Sequence, residues 1–264
     1  MGYTDEFLAI MEEQRLEVLN GFNDLLLQSV VEGNNFPEGK IRNFVHHGVG
    51  RRVNVLMRAL GNIFAIFPPS TESPLKLDDL ADVQINLHAF VMNLYGFFEC
   101  CAWSFVLRHD LTPRLGNEMN IGMFKSKTRE FLPSPIKAFL ENVGMVDWHR
   151  RYLKNYRDAL AHRIPLYIPP SQIDTADFER FSQIQFEKMN SHSFIARNSQ
   201  RYKALQDEEA SILKPCFTFL HSFDDPESPS QVDLHPQLLT DAGMVVSFGK
   251  LFFENWRDVS AEMS

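Results

Sequence analysis

The chain has 264 residues, 44% apolar and 23% charged, an ordinary globular composition that excludes disordered, collagenous and low-complexity classes. Its length suffices to bury one large core, and a single domain over 1–264 is expected. Basic residues number 26 and acidic ones 34, a formal charge of −8, so any nucleic-acid partner requires positive charge concentrated in one place.

Phenylalanine dominates the aromatics, with 23 Phe against 6 Tyr and 3 Trp, which predicts a thick, dry core. The three cysteines, Cys100, Cys101 and Cys216, form no C-x-x-C pair, so neither a disulfide framework nor a thiolate zinc site is expected. The start of the chain lacks the basic region and apolar run of a signal peptide. Glu6 stands where a myristoylation signal needs Ser or Thr. A cytoplasmic location is the expectation.

In chain order, Phe7, Met11, Leu19, Phe22, Leu26 and Val30 recur at helical spacing and predict a first helix over 5–32, ended by Gly33. A second helix is expected over 51–67, closed by Pro68-Pro69. The third, 77–108, is the longest and most apolar, with Leu87, Val91, Leu94, Phe98, Cys101 and Phe105 along one face. Residues 85–107 approach the length of a membrane span. Asn86, His88, Asn93, Glu99 and Ser104 interrupt them, and a carboxylate at mid-span costs roughly 2.5–3.5 kcal/mol. A buried central helix is therefore expected, with no membrane partner.

After a loop holding Pro113, Gly116 and Gly122, a short helix is predicted from Pro135, breaking near Gly144. A longer one follows over 147–163 with Asp147 as N-cap. Beyond Pro169-Pro170 the pattern weakens. Helices are expected over 178–189 and 202–213, a strand over 216–223, a loop over 224–229 and a last helix over 236–259. The fold class is all-α: a helical bundle with an N-terminal helix pair, a core over 77–170 and an irregular C-terminal third, 171–264.

The segment Trp148 to Arg163 carries the most chemistry. Trp148, Tyr152, Tyr156 and Leu160 form one apolar stripe at a step of four. Asp158 and His162 are also four apart and share a different face, with Arg157 beside them. A guanidinium, a carboxylate and an imidazole thus collect at one helix end. Arg157-Asp158-Ala159-Leu160-Ala161-His162 resembles the R-x4-6-H signature of the HEPN superfamily. The continuation Arg163 to Pro170 and the upstream Asn93-Leu94-Tyr95-Gly96-Phe97-Phe98-Glu99 resemble uncharacterised bacterial HEPN-like proteins. The resemblance covers 77–170, about a third of the chain.

That resemblance implies a helical bundle, commonly a homodimer with motif helices facing each other, whose active members cleave RNA without a metal. Some act in defence or toxin systems with an antitoxin or another protein partner, and others bind RNA or a protein without cutting. In such a site His162 would move a proton and Arg157 would hold the phosphate and stabilise its developing charge. Asp158 would orient one of them, while Glu99 and Asn93 support the motif from the neighbouring helix. Lys154, Arg163, Arg150 and Arg151 would bind substrate. No metal and no cofactor are implied.

The spacing alone is loose, and a second match exists at Arg42-Asn43-Phe44-Val45-His46-His47, set among glycines with no apolar stripe through it. Charge distribution favours the first. Lys125 to Arg163 holds nine basic and four acidic residues, a local +5 against −13 for the remainder, which fits a polyanion and a salt-sensitive affinity. The alternative is a non-catalytic interaction or dimerisation protein using the same surface. Other patterns are weaker. Ser211-Ile212-Leu213-Lys214 is an isolated S-x-x-K, Gly48-Val49-Gly50 is half a dinucleotide loop, and His46, His47 and His149 lack zinc-hydrolase spacing. Glu99 reads either as a catalytic acid of raised pKa or as a core carboxylate paired with Arg157 or Arg58.

Overall fold

The computed structural model describes residues 2–191, 199–221 and 230–259. Helix α1 (Asp5–Asn34) starts at Thr4, whose Oγ1 accepts from the Phe7 N–H at 3.3 Å, and carries Asp5 and Glu6 in its first turn. It passes the expected stop at Gly33 by one residue, because that glycine remains helical against the His46 ring. Helix α2 (Lys40–Asn43), a π-helical turn over Phe44–Gly50 and α3 (Arg51–Ile66) run on continuously. The central helix α4 (Leu77–Arg108) has the expected bounds.

Short helices α5 (Thr112–Leu115), α6 (Ser126–Arg129), α7 (Ser134–Glu141) and α8 (Val143–Trp148) lead to a second π-helical turn, His149–Leu153, and α9 (Lys154–His162). Then come α10 (Phe178–Asn190), α11 (Gln200–Ile212), a hairpin of β1 (Thr218–His221) and β2 (Ser230–Asp233), and α12 (Leu234–Asn255). The expected loop over 224–229 lies outside the described residues. The described residues form a helical bundle with one small sheet.

Helix α4 packs against α3 on one side and α9 on the other, while α1 lies along α12. Close approach of α1 and α12 depends on Gly249, where a Cβ would stand 2.7 Å from Leu25 Cδ1 and 3.2 Å from Phe97 Cζ. The phenylalanines supply the core as expected. Phe98 meets Phe248 at 4.7 Å, Trp148 at 5.7 Å and Phe124 at 5.3 Å. Each apolar ring removed from water contributes on the order of 2–3 kcal/mol. Helix α4 is apolar enough to cross a membrane by length and composition, and 67% of its most apolar window is buried inside the fold, as a core helix requires.

The C-terminal third fastens the exit of α9. Tyr167, five residues past that helix, exchanges two backbone hydrogen bonds with Leu220 of β1, at 3.2 and 2.7 Å. The His88 Nε2–H of α4 donates to the Leu166 carbonyl at 2.9 Å. Tyr156 packs its ring against Phe219 and His221 of the same strand, at 5.5 and 5.4 Å. Helices α10 and α11 form a satellite with its own small core of Ile184, Leu205 and Ile212, pinned by Arg180 on Glu208 at 2.6 Å.

Candidate functional site

The motif helix is entered differently from the sequence expectation. The chain breaks at Asn142 rather than Gly144, and the Asn142 Oδ1 caps α8 by accepting from the Gly144 N–H at 2.9 Å. Asp147 lies inside α8 and pairs with Arg151 at 2.8 Å instead of capping. The π-helical turn His149–Leu153 then advances the phase before α9 begins. The apolar stripe survives this: Trp148 and Tyr156 are buried, Tyr152 and Leu160 half-buried, and the Tyr152 and Tyr156 rings lie 5.8 Å apart.

Arg157 turns inward to α4. Its guanidinium lies over the Tyr95 ring at 4.4 Å, within the range of an attractive cation–π contact. Its Nη1 pairs with Asp158 at 2.7 Å. Asp158 is thereby committed to Arg157, and no ion pair joins it to His162 among the described residues. The Arg157 Nε is buried and has no hydrogen-bond partner among the described residues. His162, the last residue of α9, is exposed. Five residues separate the two on a regular helix, about 140° around its axis. A single chain therefore sends Arg157 and His162 to different faces.

What does converge with Arg157 is Glu99, the half-buried carboxylate of α4. Burial raises its pKa, and Lys125, Arg157 and Arg52 pull it back. Of the two partners expected for Glu99, Arg157 acts on it electrostatically but forms no ion pair with it, its guanidinium going to Asp158. Arg58 is not among the charges acting on it, and Arg52 of α3 takes that place. Arg52 is held by Asn93, whose Oδ1 accepts from Nη1 at 3.3 Å, and by the Cys100 Sγ at 3.3 Å from Nε. Asn93 thus serves Arg52 rather than Arg157. Across from them the loop backbone at Gly122 presses on the carboxylate, since a Cβ there would stand 3.1 Å from Glu99 Oε1. Three cations, from α3, α9 and the loop before α6, thus act electrostatically on one carboxyl group, with no ion pair to it among the described residues.

Gly96 makes the room. A Cβ at this position would stand 2.2 Å from Arg52 Cζ, so the guanidinium occupies the space a side chain would fill. Gly96→Ala is expected to expel Arg52 while leaving stability within about 1 kcal/mol, because the gain in helix propensity offsets the lost contacts. Thermal denaturation with a crystal structure of the variant checks this: the melting temperature holds and Arg52 is displaced.

The outer basic residues form the rim. Lys154, Arg150 and Arg163 are exposed, and Arg151 is occupied by Asp147. Lys154, Arg150 and Arg129 crowd His149, which with burial as the leading cause lowers its pKa to about 4. The second arginine–histidine match does other work: Arg42 donates to Asn34 at 3.4 Å and His46 to the Val30 carbonyl at 3.2 Å, both on the end of α1. Ser211 only caps its own helix, donating to the Glu208 carbonyl at 2.6 Å. Among the described residues no group of three or more His, Cys, Asp and Glu is arranged to hold a metal. Sequence reasoning overlooked Arg52, although the glycine between Asn93 and Glu99 in an otherwise apolar helix was a signal that something large fits there.

Comparison with protein-family models, with curated proteins and with solved structures finds no match to this chain.

Proposed function

We propose that this chain is a metal-independent endoribonuclease of the HEPN type, with Arg157, Glu99 and Arg52 at the phosphate. The placement of Arg52 against Gly96, of Lys125 and Glu99 together at Gly122, and of Arg157 over Tyr95 carries the reading. Such a cluster attracts an anion, and its cations repel a divalent metal from the carboxylate. The part-exposed Arg157 guanidinium offers N–H donors to a non-bridging phosphate oxygen.

In the reaction the RNA 2′-oxygen attacks the adjacent phosphorus, the new O2′–P bond forms and the P–O5′ bond breaks. Glu99 in its carboxylate form takes the 2′-hydroxyl proton. Arg157 and Arg52 stabilise charge on the phosphoryl oxygens, and His162 protonates the departing 5′ oxygen. Because Arg157 and His162 leave α9 on different faces, a site using both is completed by a second copy of the chain. Asp158 positions Arg157.

Two substrates test this in EDTA. Native RNA is expected to yield 2′,3′-cyclic phosphate ends, and 2′-O-methyl RNA to bind with similar affinity but remain intact. Cleavage of the methylated strand would refute the 2′-hydroxyl route. The non-catalytic interaction reading draws on Arg157 being engaged by Asp158 and Tyr95. It predicts no cleavage of either substrate.

A further inference from the structure

We propose that the His149 ring is a stacking platform for a nucleobase of the bound RNA, beside the charged cluster at Glu99; the inference rests on the RNA reading above. His149 ends an aromatic column rooted in the core. It stacks on Phe124 with centroids 3.7 Å apart and planes 16° from parallel, and Phe124 lies against buried Phe98 at 5.3 Å. Phe124 covers one face of the imidazole, and His149 stays half-buried rather than buried. No side chain or backbone group among the described residues hydrogen-bonds its ring nitrogens, and neither is among the buried atoms lacking a partner, so both reach solvent.

The chemistry of the surroundings divides the labour. His149 stays neutral at pH 7 among Lys154, Arg150 and Arg129, so the ring offers a π-face while the side chains around it offer charge. The Arg129 side chain is part-exposed, and its ion pair with Glu141 is long, at 3.9 Å. That guanidinium is available to a phosphate. Position links the column to the cluster. Phe98 precedes Glu99 on α4 and Phe124 precedes Lys125 in the loop, so the same two segments carry the column and two of the charged groups. Lys154 sits three residues before Arg157 on the same helix. A nucleotide needs this pairing of a flat apolar surface for the base and cations for the phosphate, and base–aromatic stacking tolerates any base.

Two probes separate base from phosphate: a labelled oligoadenylate and inorganic polyphosphate, each titrated against the full chain in EDTA. His149→Ala is expected to weaken oligoadenylate binding about tenfold and leave polyphosphate binding unchanged. His149→Phe, which keeps a flat ring, is expected to retain oligoadenylate binding within about twofold. Arg157→Ala weakens both probes. Equal loss of both probes in His149→Ala, or no loss in either, would overturn the platform while leaving the RNA reading intact. Failure of the unsubstituted chain to bind either probe overturns both.

Discussion

Asp241→Asn is expected to stabilise the protein at pH 8 by ~4 kcal/mol while changing little at pH 4. Asp241 is buried on α12, with Trp148 Nε1 and Gln237 Nε2 both donating to its Oδ1 at 2.7 Å. Burial raises its pKa from an ordinary 3.8 to about 7, against the pull of those two hydrogen bonds. The folded chain keeps a proton that the unfolded chain gives up. Its contribution to stability is therefore complete below pH 3.8 and lost as pH rises through 7. Asparagine keeps the acceptor oxygen and cannot ionise, so the advantage of the variant grows across that window. His235 works in the opposite sense. Its Nε2–H donates to the Phe67 carbonyl at 2.7 Å, and burial holds its pKa at about 4. The unfolded state alone binds that proton between pH 6.5 and 4, so acid weakens the fold there. Urea denaturation of both forms between pH 4 and pH 8 isolates the Asp241 contribution as their difference. A difference that does not vary with pH would contradict the neutral buried carboxyl.

Arg157→Ala is expected to slow RNA cleavage about 100-fold or more, the scale of losing one preorganised donor to a transition-state oxyanion. Its melting temperature is expected within about 3 °C of the parent, because the Asp158 pair and Tyr95 contact are half-exposed and each contributes ~1 kcal/mol or less. Arg157→Lys keeps the charge and loses the fork, so it is expected to recover only part of the rate. Single-turnover cleavage with scanning calorimetry on the same samples checks both. A rate that falls only in proportion to unfolded protein would make Arg157 a structural residue.

Much of the architecture was legible from local pattern. The bounds of α4 follow from its unbroken apolar face, and the buried stripe through Trp148 and Tyr156 from its step of four. The π-helical turns were not legible, because one extra residue per turn leaves no mark on a 3.6-residue reading. Asp147 read as a cap because the break was expected near Gly144 and lies at Asn142. The partner of Glu99 shows a second limit. Arg58 and Arg52 are six positions apart, about 240° around α3. Choosing between them requires the packing angle of α3 on α4, which no local pattern carries. The role of the last third is likewise long-range: Tyr167 and Tyr156 meet β1 from more than 50 residues away in the chain.

Charge follows the same logic. A chain of −8 overall gathers Arg52, Lys125 and Arg157 around a single carboxyl group by drawing them from three elements, only two of them in the basic stretch of the sequence. The whole-chain sign describes solubility and long-range steering, and the local cluster describes what binds.

The account stands most directly on subunit complementation in EDTA, read as cleavage of end-labelled RNA. The unsubstituted chain is expected to cut, and Arg157→Ala and His162→Ala each to cut about 100-fold more slowly or worse alone. Their mixture is expected to recover activity, since one arginine and one histidine then meet across two copies. No cleavage by the unsubstituted chain, or full activity in either variant, would contradict it.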